Sequence, residues 1–372
     1  MRVDSARLPM RRLRHHLAQL LPALASLGLL AWVLRSADLG RALGLVNSLG
    51  WRLPLLLLPN LAATGVETTA WWLSFARFGT RPAFLRLLEV RITSDALLLG
   101  LPSGTVVSET LQPYLLKRRC GVPLENGIVA SVARKFFVVE SHGLFLALST
   151  LLAWPLLERE SAAAIFRQGL PWVLLLTSAV LMAAASGVVL ATAHGRMANR
   201  VHRGLDRVGG RWLGSWLQRN APRFERTDEG LAAFFGRDRL GLMPSVVVHA
   251  CGWFIRSVET WLFLRLVGAD VPLVAAMVVE TALILVRSAA VPVPAGLGVQ
   301  DAAYVLCLRA LAVPDATTVG AAFVVIKRGK DLFWVFVGFL LLGLGRRRGE
   351  PPLAAIREPG VGSRTVTSQT KT

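Results

Sequence analysis

Pro292-Val293-Pro294-Ala295-Gly296-Leu297-Gly298 interrupts an apolar region that runs from about 273 to 311. Proline removes a backbone donor and disrupts the preceding turn, while glycine permits a tight reversal. A second break, Leu101-Pro102-Ser103-Gly104, interrupts the apolar region from about 85 to 117. Each region reads as two half-helices, forming either a re-entrant hairpin or one kinked crossing. Uninterrupted apolar blocks surround them at about 17–35, 51–76, 127–157, 170–194, 240–267 and 314–345. About 20 mostly apolar residues cross roughly 30 Å of hydrocarbon. Leu17 to Leu34 and Trp172 to Ala193 hold no Asp, Glu, Lys or Arg at all.

Composition points the same way. The 372 residues are 53% hydrophobic and 17% charged, below the roughly 25% charged content of soluble domains, and mean hydropathy is +0.52. A net charge of +19 would suit nucleic acid, but the arginines sit in loops between apolar blocks, as the positive-inside rule requires. No nucleic-acid partner is expected. Cys120, Cys251 and Cys307 form neither a disulfide framework nor a metal-ligand spacing; they read as small buried hydrophobes. No metal or cofactor is expected. Residues 1–16 carry Arg2, Arg7, Arg11, Arg12 and Arg14. The apolar stretch after them exceeds the roughly 7–15 residues of a signal-peptide core, so it reads as a retained first span.

Charge then sets orientation. Ten arginines between Arg196 and Arg239 make the loop 195–239 cytoplasmic. Arg77, Arg81, Arg86 and Lys117-Arg118-Arg119 flank the first broken region on both sides, which suits a cytoplasmic hairpin and not a crossing. The second is flanked by Gly268-Ala269-Asp270-Val271 and Ala312-Val313-Pro314-Asp315, without Lys or Arg, so both of its ends read as external. Arg346-Arg347-Arg348 keeps the C-terminus inside. The expected fold is an all-α integral membrane protein of about six transmembrane helices plus two re-entrant hairpins, with both termini cytoplasmic. Within the Arg-rich loop, Leu205, Val208, Trp212 and Trp216 recur at helical spacing. They suit either an interfacial amphipathic helix on anionic lipid or a solvated loop. The tail 346–372 is polar and reads as disordered.

The chain also resembles itself. Val66-Glu67-Thr68 recurs as Val258-Glu259-Thr260, Pro102-Ser103-Gly104 as Pro294-Ala295-Gly296, and Glu109 as Asp301, all at a shift of 192. Phe78-Gly79, Glu89, Tyr114, Val122-Pro123 and Arg134-Lys135 with Glu140 find counterparts at shifts of 189 to 193. Repeat one covers about 51–157 and repeat two about 240–345. Three crossings separate equivalent positions, so the second copy is inverted. Inverted repeats with broken helices in matching positions point to a transport site near the midplane.

Charges fall at membrane depth. Lys327, Arg328, Lys330 and Asp331 lie on the order of 20 Å from the external end of their span. Arg134 and Lys135 lie on the order of 12–15 Å inside theirs, with Glu140 and His142 deeper. Each costs about 2.5–3.5 kcal/mol at a helix centre, so each must face a partner or water. Arg134 and Lys135 could pair with Glu140 or Glu109, and Arg256 could pair with Glu259 three residues on; Glu67 and Asp331 are further intramembrane pairing candidates. Alternatively Arg134, Lys135, Lys327 and Arg328 bind an anionic head group, balanced by Glu109 and Asp301. The hairpin tips, Pro102 with Gly104 and Pro294 with Gly296 and Gly298, would aim free backbone N–H groups at such a ligand.

The segment Pro294-Ala295-Gly296-Leu297-Gly298-Val299-Gln300-Asp301, followed by Val313-Pro314, resembles the PxGLGxxE/D…VP signature of flippase-like membrane proteins. These form the lysylphosphatidylglycerol synthase transmembrane-region family. Leu101 through Arg119 with Val122-Pro123 resembles the first-repeat counterpart, and the closest subgroup is the hopanoid-biosynthesis-associated membrane proteins. The resemblance implies lipid translocation across a bacterial inner membrane, with a membrane lipid as substrate and two hairpins around a central cavity. No acyltransferase-like domain follows the last span, so aminoacyl-lipid synthesis, and enzymatic activity in general, is not expected. Thr105-Val106-Val107-Ser108 departs from the pattern where a second glycine would stand. A non-transporting accessory protein of lipid biosynthesis and an intramembrane lipid-modifying enzyme are the rival readings.

Overall fold

The computed structural model describes residues 28–32, 34–35, 37–101, 104–163, 169–193, 225–236, 238, 240–289 and 298–347, and among them all regular structure is helical. From residue 39 onward the α-helices are α1 Leu39–Ser48, α2 Leu57–Ser74, α3 Phe84–Gly100, α4 Gly104–Cys120, α5 Leu124–Leu152, α6 Trp154–Ala163 and α7 Leu170–Ala193. They continue as α8 at 225–236, α9 Met243–Leu266, α10 Leu273–Ala289, α11 Val299–Ala310 and α12 Ala316–Arg347.

Local chemistry sets these boundaries. The Asp38 carboxylate accepts from the Arg41 N–H at 2.9 Å and starts α1, an orphan donor satisfied by a cap. Pro123 precedes α5. Gly79 and Gly268, with φ of 70° and 89°, end the runs before α3 and α10 in the left-handed conformation that costs glycine little. Beside each turn a tryptophan closes the loop: Trp72 Nε1 donates to the Pro82 carbonyl at 2.9 Å, and Trp261 Nε1 to the Val271 carbonyl at 3.1 Å.

α5 and α7 are long and apolar enough to cross a membrane. A third candidate is the pair Leu39–Ser48 and Gly50–Phe78, bent by 83° at its break. α9 and α12 have the length but are less apolar, interrupted by Arg256 and Glu259 in one and by the Lys327–Asp331 cluster in the other. Of the six crossings expected, two or three thus qualify by length and composition. The expected span 17–35 is described only from residue 28 onward.

α9 packs along α2 at the centre, and α5 lies against both. α3 and α4 fold onto each other across the break at 101–103, and α10 and α11 likewise pack together. α12 lies against α3, while α5 lies against α10. Gly104 makes the first hairpin possible. A Cβ there would stand 2.2 Å from the Leu98 carbonyl oxygen and 2.6 Å from that of Leu97. Pro102, Ser103, Pro294, Ala295 and Gly296 fall outside the described residues. The amphipathic stretch Leu205–Trp216 and the tail from 348 do so as well.

Part of the Arg-rich segment 195–239 is packed into the molecule. Residues 225–236 form a helix whose Leu231, Phe234 and Phe235 are buried against Val129, Phe137 and Val246. Arg77 holds its end, donating to the Phe234 carbonyl at 2.6 Å and lying over the Phe234 ring. The apolar spacing 231, 234, 235 carries this; the surrounding arginines conceal it.

Candidate functional site

A cavity of about 250 Å³ lies between α2, α3, α5, α9, α10, α11 and α12. Its wall is strongly charged. Arg91, Arg134, Lys135, Arg256, Lys327, Arg328 and Lys330 line it, with Glu67, Asp95, Glu259, Glu280, Asp301 and Asp331. Glu109, held by Lys135 at 2.6 Å, is a seventh carboxylate beside these seven bases.

Every base has a carboxylate. Glu67 on α2, 3% exposed, accepts from Arg91 at 2.7 Å through one oxygen and from Arg256 at 2.9 Å through the other. Arg91 also reaches Asp95 at 3.0 Å, one turn along α3. Glu259 on α9 is fully buried and receives Lys327 at 3.1 Å and Lys330 at 2.7 Å. Lys327 touches Glu280 at 3.3 Å as well, and Thr260 donates to that same carboxylate. Arg328 meets Asp301 at 2.7 Å and Asp331 at 3.7 Å. Arg134 donates to Gln112 at 3.0 Å and lies 3.8 Å from Glu109. Removing one partner of a buried pair costs about 3–5 kcal/mol, because the other charge is left uncompensated.

This arrangement corrects one expectation and decides between the partners offered in another. Arg256 does not pair with Glu259 along its own helix; it crosses to Glu67, and Glu259 turns to the lysines of α12. Of the two partners offered to Arg134 and Lys135, Glu109 is the one they meet, and Glu140 pairs with neither. It faces α7, where Ser186 donates to it at 2.6 Å. The carboxylates also match the bases in number, since Glu67, Asp95, Glu259 and Glu280 converge from helices far apart in sequence.

Beyond the second break, the N-terminus of α11 is described from its cap, Gly298, onward. This half-helix runs from Val299, while Ala295 lies outside the described residues. Asp301 therefore occupies the third position, where its carboxylate accepts from the Gly298 N–H at 3.0 Å. A carboxylate already sits where a helix N-terminus favours one.

Paired contacts recur across the chain. Lys135–Glu109 and Arg328–Asp301 sit at shifts of 193 and 192, at 2.6 and 2.7 Å. Arg134 lies 5.6 Å from the centre of the Trp71 ring, and Lys327 lies 5.4 Å from that of Phe263, again at shifts of 193 and 192. Arg91, Asp95, His249, Trp253 and Trp334 were not among the expected site residues. An Arg and an Asp four apart in an apolar half-helix were signal enough for the first two.

A buried, charge-lined cavity among apolar helices defines a polytopic membrane protein built around a polar interior. The chain belongs to the lysylphosphatidylglycerol synthase TM region family, whose model matches residues 19–338. No curated protein matches the sequence.

Proposed function

We propose that this protein moves an amphipathic lipid between the leaflets of a bacterial inner membrane, with both termini in the cytoplasm and without chemistry of its own. The observation that carries the reading is the charged cavity among apolar helices. Charges at membrane depth are retained where they serve a ligand or a pathway, and membership of a lipid-related membrane family fits that use. The helical hairpins α3–α4 and α10–α11 are then re-entrant. The paired contacts Lys135–Glu109 and Arg328–Asp301 support an inverted repeat whose halves rock about the cavity. The closing turns at Trp72–Pro82 and Trp261–Val271, at a shift of 189, support it independently.

The test is a leaflet-exchange assay in proteoliposomes, with acyl-chain fluorescent lipids quenched from outside. Wild-type protein is expected to expose inner-leaflet lipid to the quencher, and Lys327→Ala to slow this at least tenfold. Exchange no faster than in protein-free vesicles would remove the reading.

A further inference from the structure

The cavity also specifies its ligand, an inference that deepens the translocation reading. We infer that it takes an uncharged, hydroxyl-bearing head group, a sugar or polyol on a lipid, in preference to an anionic phosphate.

Two observations point there. First, the charges of the wall are already matched, seven bases to seven carboxylates, each base within ion-pair distance of an acid. A net-charged head group would have to break one of these pairs and leave a buried charge alone. Second, the polar atoms still without a hydrogen-bond partner among the described residues are of both kinds. On the cavity wall, Trp253 Nε1, Trp334 Nε1 and Arg134 Nε are donors; Glu259 Oε2 and Gln300 Oε1 are acceptors. His249, 1% exposed, has no partner at either ring nitrogen and, when neutral, offers one donor and one acceptor. All six residues line the cavity, and Glu259 is fully buried.

A phosphate has acceptors only, and would leave Glu259 and Gln300 unanswered. A hydroxyl both donates and accepts, so a polyol answers every one of these atoms without disturbing an ion pair. The Trp334 ring adds apolar surface beside its N–H group, which suits the mixed surface of a sugar, whereas the Trp253 ring is packed against His142 and Arg256.

The experiment is a competition for the full-length protein in detergent, read by native mass spectrometry. Equimolar monoglucosyl-diacylglycerol, phosphatidylethanolamine and phosphatidylglycerol of matched chains are offered. The glucosyl lipid is expected to be retained at least tenfold over phosphatidylglycerol. Trp253→Phe and Trp334→Phe are each expected to weaken its retention about three- to tenfold, leaving phosphatidylglycerol unaffected. Preferential retention of phosphatidylglycerol or phosphatidylethanolamine, or of no lipid, overturns the inference; the wild-type competition decides even if a variant misfolds. The same lipids in the leaflet-exchange assay separate the two readings. Selective retention without exchange removes translocation alone. Exchange that favours phosphatidylglycerol removes the neutral-head-group inference alone.

Discussion

Lys327 reaches Glu259 across 3.1 Å, joining the middle of α12 to the middle of α9. The carboxylate is fully buried and also holds Lys330 at 2.7 Å. One acid thus fixes two cations of the last helix against the centre of the molecule.

Glu259→Ala should therefore destabilise the protein by about 3–5 kcal/mol, since two buried lysines lose their common partner. The double variant with Lys327→Ala should lose less than the sum of the singles. Thermal unfolding in detergent measures both. Strict additivity would show that the pair is not coupled.

Arg328→Asp places a third carboxylate beside Asp301 and Asp331 and should slow leaflet exchange at least tenfold. Adding Asp301→Arg restores an opposite pair and should return most of the rate. Failure of the swap to recover anything would mean that Arg328 acts by identity, not by charge.

Glu140 supplies the contrast. It is bonded to Ser186 at 2.6 Å and faces away from the cavity, so Glu140→Gln should leave exchange rates within about twofold of wild type. A large loss would move this residue into the pathway.

Gly104→Ala should cost at least about 1–3 kcal/mol by overpacking, because its Cβ would meet the Leu98 carbonyl oxygen at 2.2 Å. Gly187 lies in α7, and a Cβ added there would have nothing within 4 Å. The same substitution at Gly187 should raise stability, by up to about 1 kcal/mol. Unfolding temperatures in opposite directions would bear this out.

Phe235 is fully buried, although it lies in a segment dense with arginine. Phe235→Ala should cost about 3–5 kcal/mol, whereas a solvated loop would lose almost nothing.

Helix positions were readable from apolar length and Pro-Gly breaks, because those are local properties. Gly104, Leu124 and Leu273 begin helices close to where the pattern places them. The cluster Lys327–Asp331 and the pair Arg134-Lys135 stood out because charge in an apolar block is conspicuous. Their partners were not readable. Glu67 and Arg256 are 189 residues apart, and only the packing of α9 along α2 brings them together. Proximity along one helix suggested Glu259 instead. The charge balance of the cavity was hidden for the same reason, since its carboxylates come from helices far apart in the chain. Helix 225–236 was obscured by the positive charge around it, although Leu231, Phe234 and Phe235 carry its apolar face.

The central claim is that a lipid head group enters the cavity between these helices. Leu99 lines it without taking part in any ion pair, so a diazirine amino acid at that position probes it with little disturbance. On illumination in membranes, the account predicts a lipid adduct at Leu99, detected as a mass increase on its peptide. Adducts at outward-facing Leu148, 48% exposed, with none at Leu99 would contradict it.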